Sequence, residues 1–156
     1  MKKIIQLFAI LFILQGCSLE SKFGLPISTE NYTYLIGTYF DKKSEVKITI
    51  ETTKNNHFSL KMYEKDRENF EELKFYVSKI KNHHIINIYY KENDKTTNIF
   101  YGFRLKDRKL YFSEVTDKIR KNDFKSDDDL LSFFEKNVEN DGFFHSEEYL
   151  IKDISR

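Results

Sequence analysis

A period of two governs this chain from about residue 32 to residue 112. Val46, Ile48 and Ile50 alternate with Lys47 and Thr49, and residues 57–62 repeat the pattern through Phe58, Leu60 and Met62. Leu73, Phe75 and Val77 follow, then Ile86, Ile88 and Tyr90, then Ile99, Tyr101, Phe103 and Leu105, and last Leu110 and Phe112. At the front, Tyr34 and Ile36 lead into Gly37-Thr38-Tyr39. Polar clusters such as Lys54-Asn55-Asn56, Lys81-Asn82, Glu92-Asn93-Asp94 and Lys106-Asp107-Arg108 separate the runs. Alternation puts one face of each strand on the core and the other on water. Short polar breaks join such strands as hairpins, so the pattern predicts an antiparallel meander of about seven to eight strands. A meander this long tends to curl or close, because closure removes exposed edges.

The period then changes. Ser126 precedes three aspartates, and Asp129 stands three residues after it, as in a capping box. Leu130, Leu131, Phe134 and Val138 share one helical face, and Asn140-Asp141-Gly142 supplies a stop. Residues 143–154 read as a final strand, with Tyr149 and Ile151 alternating against charged neighbours. Meander, helix and closing strand in this order resemble lipocalin-like barrels, and Gly37-Thr38-Tyr39 stands where lipocalins carry Gly-X-Trp. The expected fold is mainly β: a lipocalin-like barrel or a strongly curved open sheet, one C-terminal helix, and a final strand.

The first residues carry a different signal. Lys2 and Lys3 precede an apolar run from Ile4 to Leu14, broken only by Gln6. About ten apolar residues make a signal-peptide core and fall short of the ~20 a spanning helix needs. The run ends in Leu14-Gln15-Gly16-Cys17, which resembles the lipobox of bacterial lipoproteins. That resemblance implies a thioether-linked diacylglycerol on Cys17, cleavage before it by signal peptidase II, and acylation of the new amino terminus, hence palmitate-type chains. Cys17 is the only cysteine in the sequence. Once it is modified, no thiol remains for a disulfide, a thiolate metal site or a nucleophile. The expected organisation is a signal peptide at 1–16, a lipid-anchored tether at 17–31 and a single β-rich domain at 32–156. The membrane is then a partner through the lipid on Cys17. The domain is expected outside the cytoplasm, on the cell membrane or the outer membrane.

Removing residues 1–16 leaves 24 basic side chains against 25 acidic ones, interspersed along the chain. No basic patch argues for nucleic acid. The histidines are His57, His83, His84 and His145, with no His-X-His or His-Glu-X-X-His spacing, and read as surface or turn residues. Asp127-Asp128-Asp129 lacks the alternating ligands and loop glycine of a calcium loop and reads as a helix cap. Glu71-Glu72 and Glu147-Glu148 are neighbours that alternation sends to opposite faces. No Gly-X-Ser-X-Gly elbow or glycine-rich phosphate loop occurs among the five glycines. The expectation is a non-enzymatic protein with no cofactor and no metal.

What remains is aromatic: 15 Phe and 10 Tyr without Trp. Tyr34, Phe58, Phe75, Tyr90, Tyr101, Phe103 and Phe112 fall on the inward register and are the candidate ligand-binding residues. They form either a solid core or the lining of an apolar pocket. Tyr39, Tyr63, Tyr76, Tyr89 and Tyr111 fall on the opposite register and could present a protein-binding surface. Two functions stay open: holding a small apolar ligand in a lipocalin-like cavity, or pairing with an envelope protein as a subunit, inhibitor or assembly factor.

Overall fold

The computed structural model describes residues 18–41, 46–54, 56–63, 70–118 and 123–154. Residues 1–17, which hold the expected signal segment and Cys17, lie outside the described residues. A two-residue strand β1 (Glu20–Ser21) is followed by β2 (Gly37–Phe40), β3 (Lys47–Lys54), β4 (His57–Tyr63), β5 (Phe70–Ile80), β6 (His83–Glu92), β7 (Lys95–Lys106) and β8 (Lys109–Val115). Helix α1 (Asp127–Asn137) and strand β9 (Phe144–Lys152) complete the chain. Strands β2 to β9 pair antiparallel in sequence order, and β9 returns to β2, so the sheet closes into an eight-stranded barrel. The closing seam is short, with Tyr39 opposite Lys152 and Phe40 opposite Ile151.

The hairpins form where the polar clusters predicted them. Asn93 and Asp94, and again Asp107 and Arg108, all have positive φ, as the two central residues of a type I′ turn require. Asparagine and aspartate tolerate that region. Arg108 at φ 63° does so at a steric cost.

Two apolar clusters hold the molecule. The first fills the barrel and includes Ile48, Ile50, Phe58, Phe75, Val77, Tyr101 and Leu150. The second lies outside it. Ile85 and Phe100 face outward from β6 and β7 and meet Leu130 and Phe134 of α1 and its C-cap residue Val138, with Phe143 beside them. Gly102 on β7 lets the Phe144 ring lie on the backbone: a Cβ there would sit 2.5 Å from that ring. Helix α1 is capped as its sequence predicts. Asp129 N–H donates to Ser126 Oγ at 3.1 Å, and Lys125 N–H donates to Asp129 Oδ2 at 3.0 Å.

The segment read as a tether instead packs against the barrel from residue 18 onward. Leu19 N–H donates to the Val115 carbonyl at 2.8 Å, and Leu19 and Leu25 are buried in the outer cluster. Strand β1 pairs with β7. Asn98 Nδ2 donates to the carbonyls of Ser21 and Phe23, and Asn87 Oδ1 accepts from Leu25 N–H. Polar residues on the outer register thus hold a strap rather than water.

The chain between the strap and β2 plugs one barrel end, the end that carries the hairpins at residues 80–83 and 106–109. Thr33–Leu35 forms a 3-10 turn where a strand was predicted, started by Thr33 N–H donating to Asn31 Oδ1. Tyr32 and Leu35, three residues apart, share its buried face. The Tyr32 hydroxyl lies 3.0 Å from His84 Nδ1. Tyr34 consequently points away from the lumen and is 42% exposed, which corrects its inward placement. Tyr39 is corrected the other way. It is fully buried in the barrel, and its hydroxyl donates to the Leu35 carbonyl at 2.8 Å.

Candidate functional site

Eight strands enclose an interior just wide enough for side chains or for one small ligand. Burial along the inward register shows where side chains fill it and where they do not. Phe58 and Phe75 stack at 5.1 Å and are buried, and Phe103 is buried beside Tyr101. Leu60, Ile86, Tyr90 and Phe112 belong to the same inward cluster yet are only half-buried. Three of them sit amid buried neighbours: Leu60 between Ile50 and Leu73, Ile86 between Val77 and Tyr101, Phe112 opposite Phe103. These side chains stand at mid-strand on the inward register and still keep part of their surface uncovered. Leu60 on β4 and Phe112 on β8 lie across the barrel from one another, with Ile86 on the wall between. Around these three positions the inward side chains do not cover one another completely.

One wall of the lumen is polar. Tyr101 on β7 pairs with Glu114 on β8, and Glu114 with His145 on β9. Glu114 is 4% exposed, and its Oε2 lies 3.8 Å from His145 Nδ1. His145 Nδ1 also meets Ser146 Oγ at 3.0 Å. Glu114 Oε2 and His145 Nε2 are buried with no hydrogen-bond partner among the described residues. Burial pushes the Glu114 carboxyl above the usual carboxylate range, against a hydrogen bond from Ser18 and the attraction of His145. Burial likewise raises the Tyr101 phenol. Further along β9, Glu148 pairs with Phe112 and Lys152 with Tyr39, so both side chains belong to the inward register. The Lys152 amine donates to the Tyr34 carbonyl at 2.8 Å near the plugged end, and burial lowers its pKa.

This polar wall was not foreseen, and β9 faces the opposite way to its sequence reading. Leu150, Glu148 and Lys152 point inward while Tyr149 and Ile151 point outward. The register slips between Phe112 and Glu114, and Ser146 takes φ 53°, so a bulge brings His145 to the same side as Glu114. No local residue signal marks a bulge of this kind. Of the seven candidate ligand-binding residues, Phe58, Phe75, Tyr90, Tyr101, Phe103 and Phe112 share the lumen, and only Tyr34 does not.

The outer register carries two aromatic groups. His57, Tyr76 and Tyr89 cluster over β4 to β6, with ring centroids 5.7–6.4 Å apart. Burial raises the Tyr76 phenol to about 12. On β7 to β9 the Arg104 guanidinium lies 3.8 Å over Tyr111, Tyr111 lies 5.7 Å from Tyr149, and the Lys109 amine lies 4.7 Å from the Tyr149 ring. Phe40, paired with Ile151, extends this patch. Phe40 is 39% exposed and Tyr149 is 41% exposed. A groove of about 360 Å³ outside the barrel is lined by Glu20, Ser21, Lys22, Thr97, Asp123 and Phe124.

Among the described residues no group of three or more His, Cys, Asp or Glu side chains could hold a metal ion. No helix among them is long and apolar enough to cross a membrane. Comparisons with family models, with curated proteins and with solved structures find no match to this chain.

Proposed function

We propose that the mature protein is a lipid-anchored, non-enzymatic binding protein of the bacterial cell envelope that holds one small apolar ligand inside a lipocalin-like barrel. The incomplete cover of the inward side chains Leu60, Ile86 and Phe112 carries this reading. Their walls suit an apolar body, and the polar side of the lumen suits a single hydrogen-bonding end group near Glu114 and His145. The anchor is the lipid on Cys17, expected from the Leu14-Gln15-Gly16-Cys17 lipobox.

Native mass spectrometry of the exported, gently purified protein tests the reading. A stoichiometric small-molecule adduct, lost on denaturation, is expected. Leu60→Trp, which puts an indole into the lumen, should remove the adduct while circular dichroism keeps its β signature. An adduct that survives Leu60→Trp unchanged would place the ligand elsewhere.

A second reading has its own observation. Arg104, Tyr111, Tyr149, Lys109 and Phe40 form a contiguous outward patch of aromatic and cationic groups, a composition enriched at protein contacts. If the protein works by pairing with an envelope partner, Tyr111→Ala and Tyr149→Ala should abolish cross-linking to that partner and leave the adduct intact.

A further inference from the structure

Lipid-anchored domains commonly hang from a flexible spacer. A spacer of fourteen residues, the length of 18–31, would let the domain stand roughly 20 Å from its anchor. Here that segment is structure. Ser18 bridges Thr116, and its side chain lies beside the Glu114 carboxyl. Leu19 is bonded to Val115 and fully buried, Glu20 and Ser21 are paired to β7, and Asn98 and Asn87 hold the strap beyond them. Residue 17 is one peptide unit, about 3.8 Å between Cα atoms, from a residue bonded into the barrel wall.

From this we infer that the barrel is seated directly on the bilayer, with the barrel end that carries Ser18 and Lys118 against the lipid headgroups and β3, across the barrel from β1 and β7, facing away. The inference rests on lipidation of Cys17, and its occupant is the bilayer that carries the anchor. With no spacer between lipid and fold, tumbling of the domain about its anchor is confined to the few bonds of residue 17 and its thioether. Charge beside the strap is mixed, with Lys22 and Lys118 exposed alongside Glu20 and Asp123, so the seating rests on the short connection to the anchor and not on attraction to headgroup phosphates.

The sequence contains no tryptophan, so a single introduced indole reports its own surroundings. Lys118→Trp places one at the rim, and Glu51→Trp places one on the outer face of β3. Each full-length variant is expressed, processed, and reconstituted in phosphatidylcholine vesicles carrying a nitroxide on a fraction of the headgroups. Quenching several-fold stronger at position 118 than at position 51 is expected. A ten-residue Gly-Ser insert between Cys17 and Ser18 should bring position 118 down to the level of position 51. Acylated, vesicle-bound protein with equal weak quenching at both positions would overturn the seating and leave the anchor standing. Intact mass without acyl chains, with protein that stays off the vesicles, would overturn the lipidation and the seating with it. Thermal melts of both Trp variants matching the parent show that the readout concerns placement and not folding.

Discussion

At the scale of the residue, Glu114 is a buried carboxylate in an environment that opposes its charge. Burial raises its pKa, so between the usual carboxylate range and its raised value the folded protein holds a proton that the unfolded chain has released. Stability therefore falls as pH rises through that window. Glu114→Gln keeps the shape and has no proton to lose. Relative to the parent, its denaturation midpoint should be higher at about pH 7 than at about pH 4, with the extra slope gone. Gly102 is the second such position, because a side chain there meets the Phe144 ring. Gly102→Val is expected to destabilise by about 1–3 kcal/mol in urea denaturation, the range for overpacking. Neither residue was legible in the sequence. Glu114 stands in a run whose alternation was clear only as far as Phe112, and Gly102 sits in the middle of a strand with nothing beside it to announce Phe144 from forty residues away.

Elements were far more legible than single contacts, and the difference is physical. Hairpins and caps are written by neighbours in the chain. Asn93, Asp94 and Asp107 suit their turns because small polar side chains tolerate positive φ, Arg108 takes the same region at a cost, and Ser126 with Asp129 caps α1 through a spacing of three. Ser126→Ala should accordingly cost about 1 kcal/mol, read as a lower melting midpoint. Asp107-Arg108→Asn-Gly should gain on the order of 1 kcal/mol by relieving Arg108, provided the Lys152 bond to the residue 108 carbonyl persists. Facing, by contrast, depends on partners distant in sequence. The residues at 32–36 read as a strand but turn across the barrel end because Tyr32 and Leu35 find burial there together. Strand β9 reverses its facing through a bulge at Ser146, which carries Glu148 and Lys152 to the lumen side and leaves Tyr149 in water. A period-two pattern fixes that a strand is two-sided. It does not say which side is the core when both sides carry aromatic or aliphatic groups.

At the scale of the molecule, both faces of the sheet are in use. The inner face closes on the lumen, and part of the outer face supports α1 and the N-terminal strap. This explains why Ile85, Phe100 and Val115 sit on a register that simple alternation assigns to solvent, and why Asn87 and Asn98 are buried there without penalty. It also turns residues 18–31 into a test of the architecture. A tether could be removed without consequence. A strap that buries Leu19 and Leu25 contributes about 1.5–3 kcal/mol for each of the two side chains, before its hydrogen bonds to Val115, Asn87 and Asn98 are considered. Against a usual total of about 5–15 kcal/mol, that is a large share. Residues 32–156 alone should therefore melt well below residues 18–156 and be cut faster by protease along the uncovered faces of β6 and β7. Equal melting points for the two fragments would mean that the strap only rests on the barrel, and the polar side chains beneath it would then need water to satisfy them.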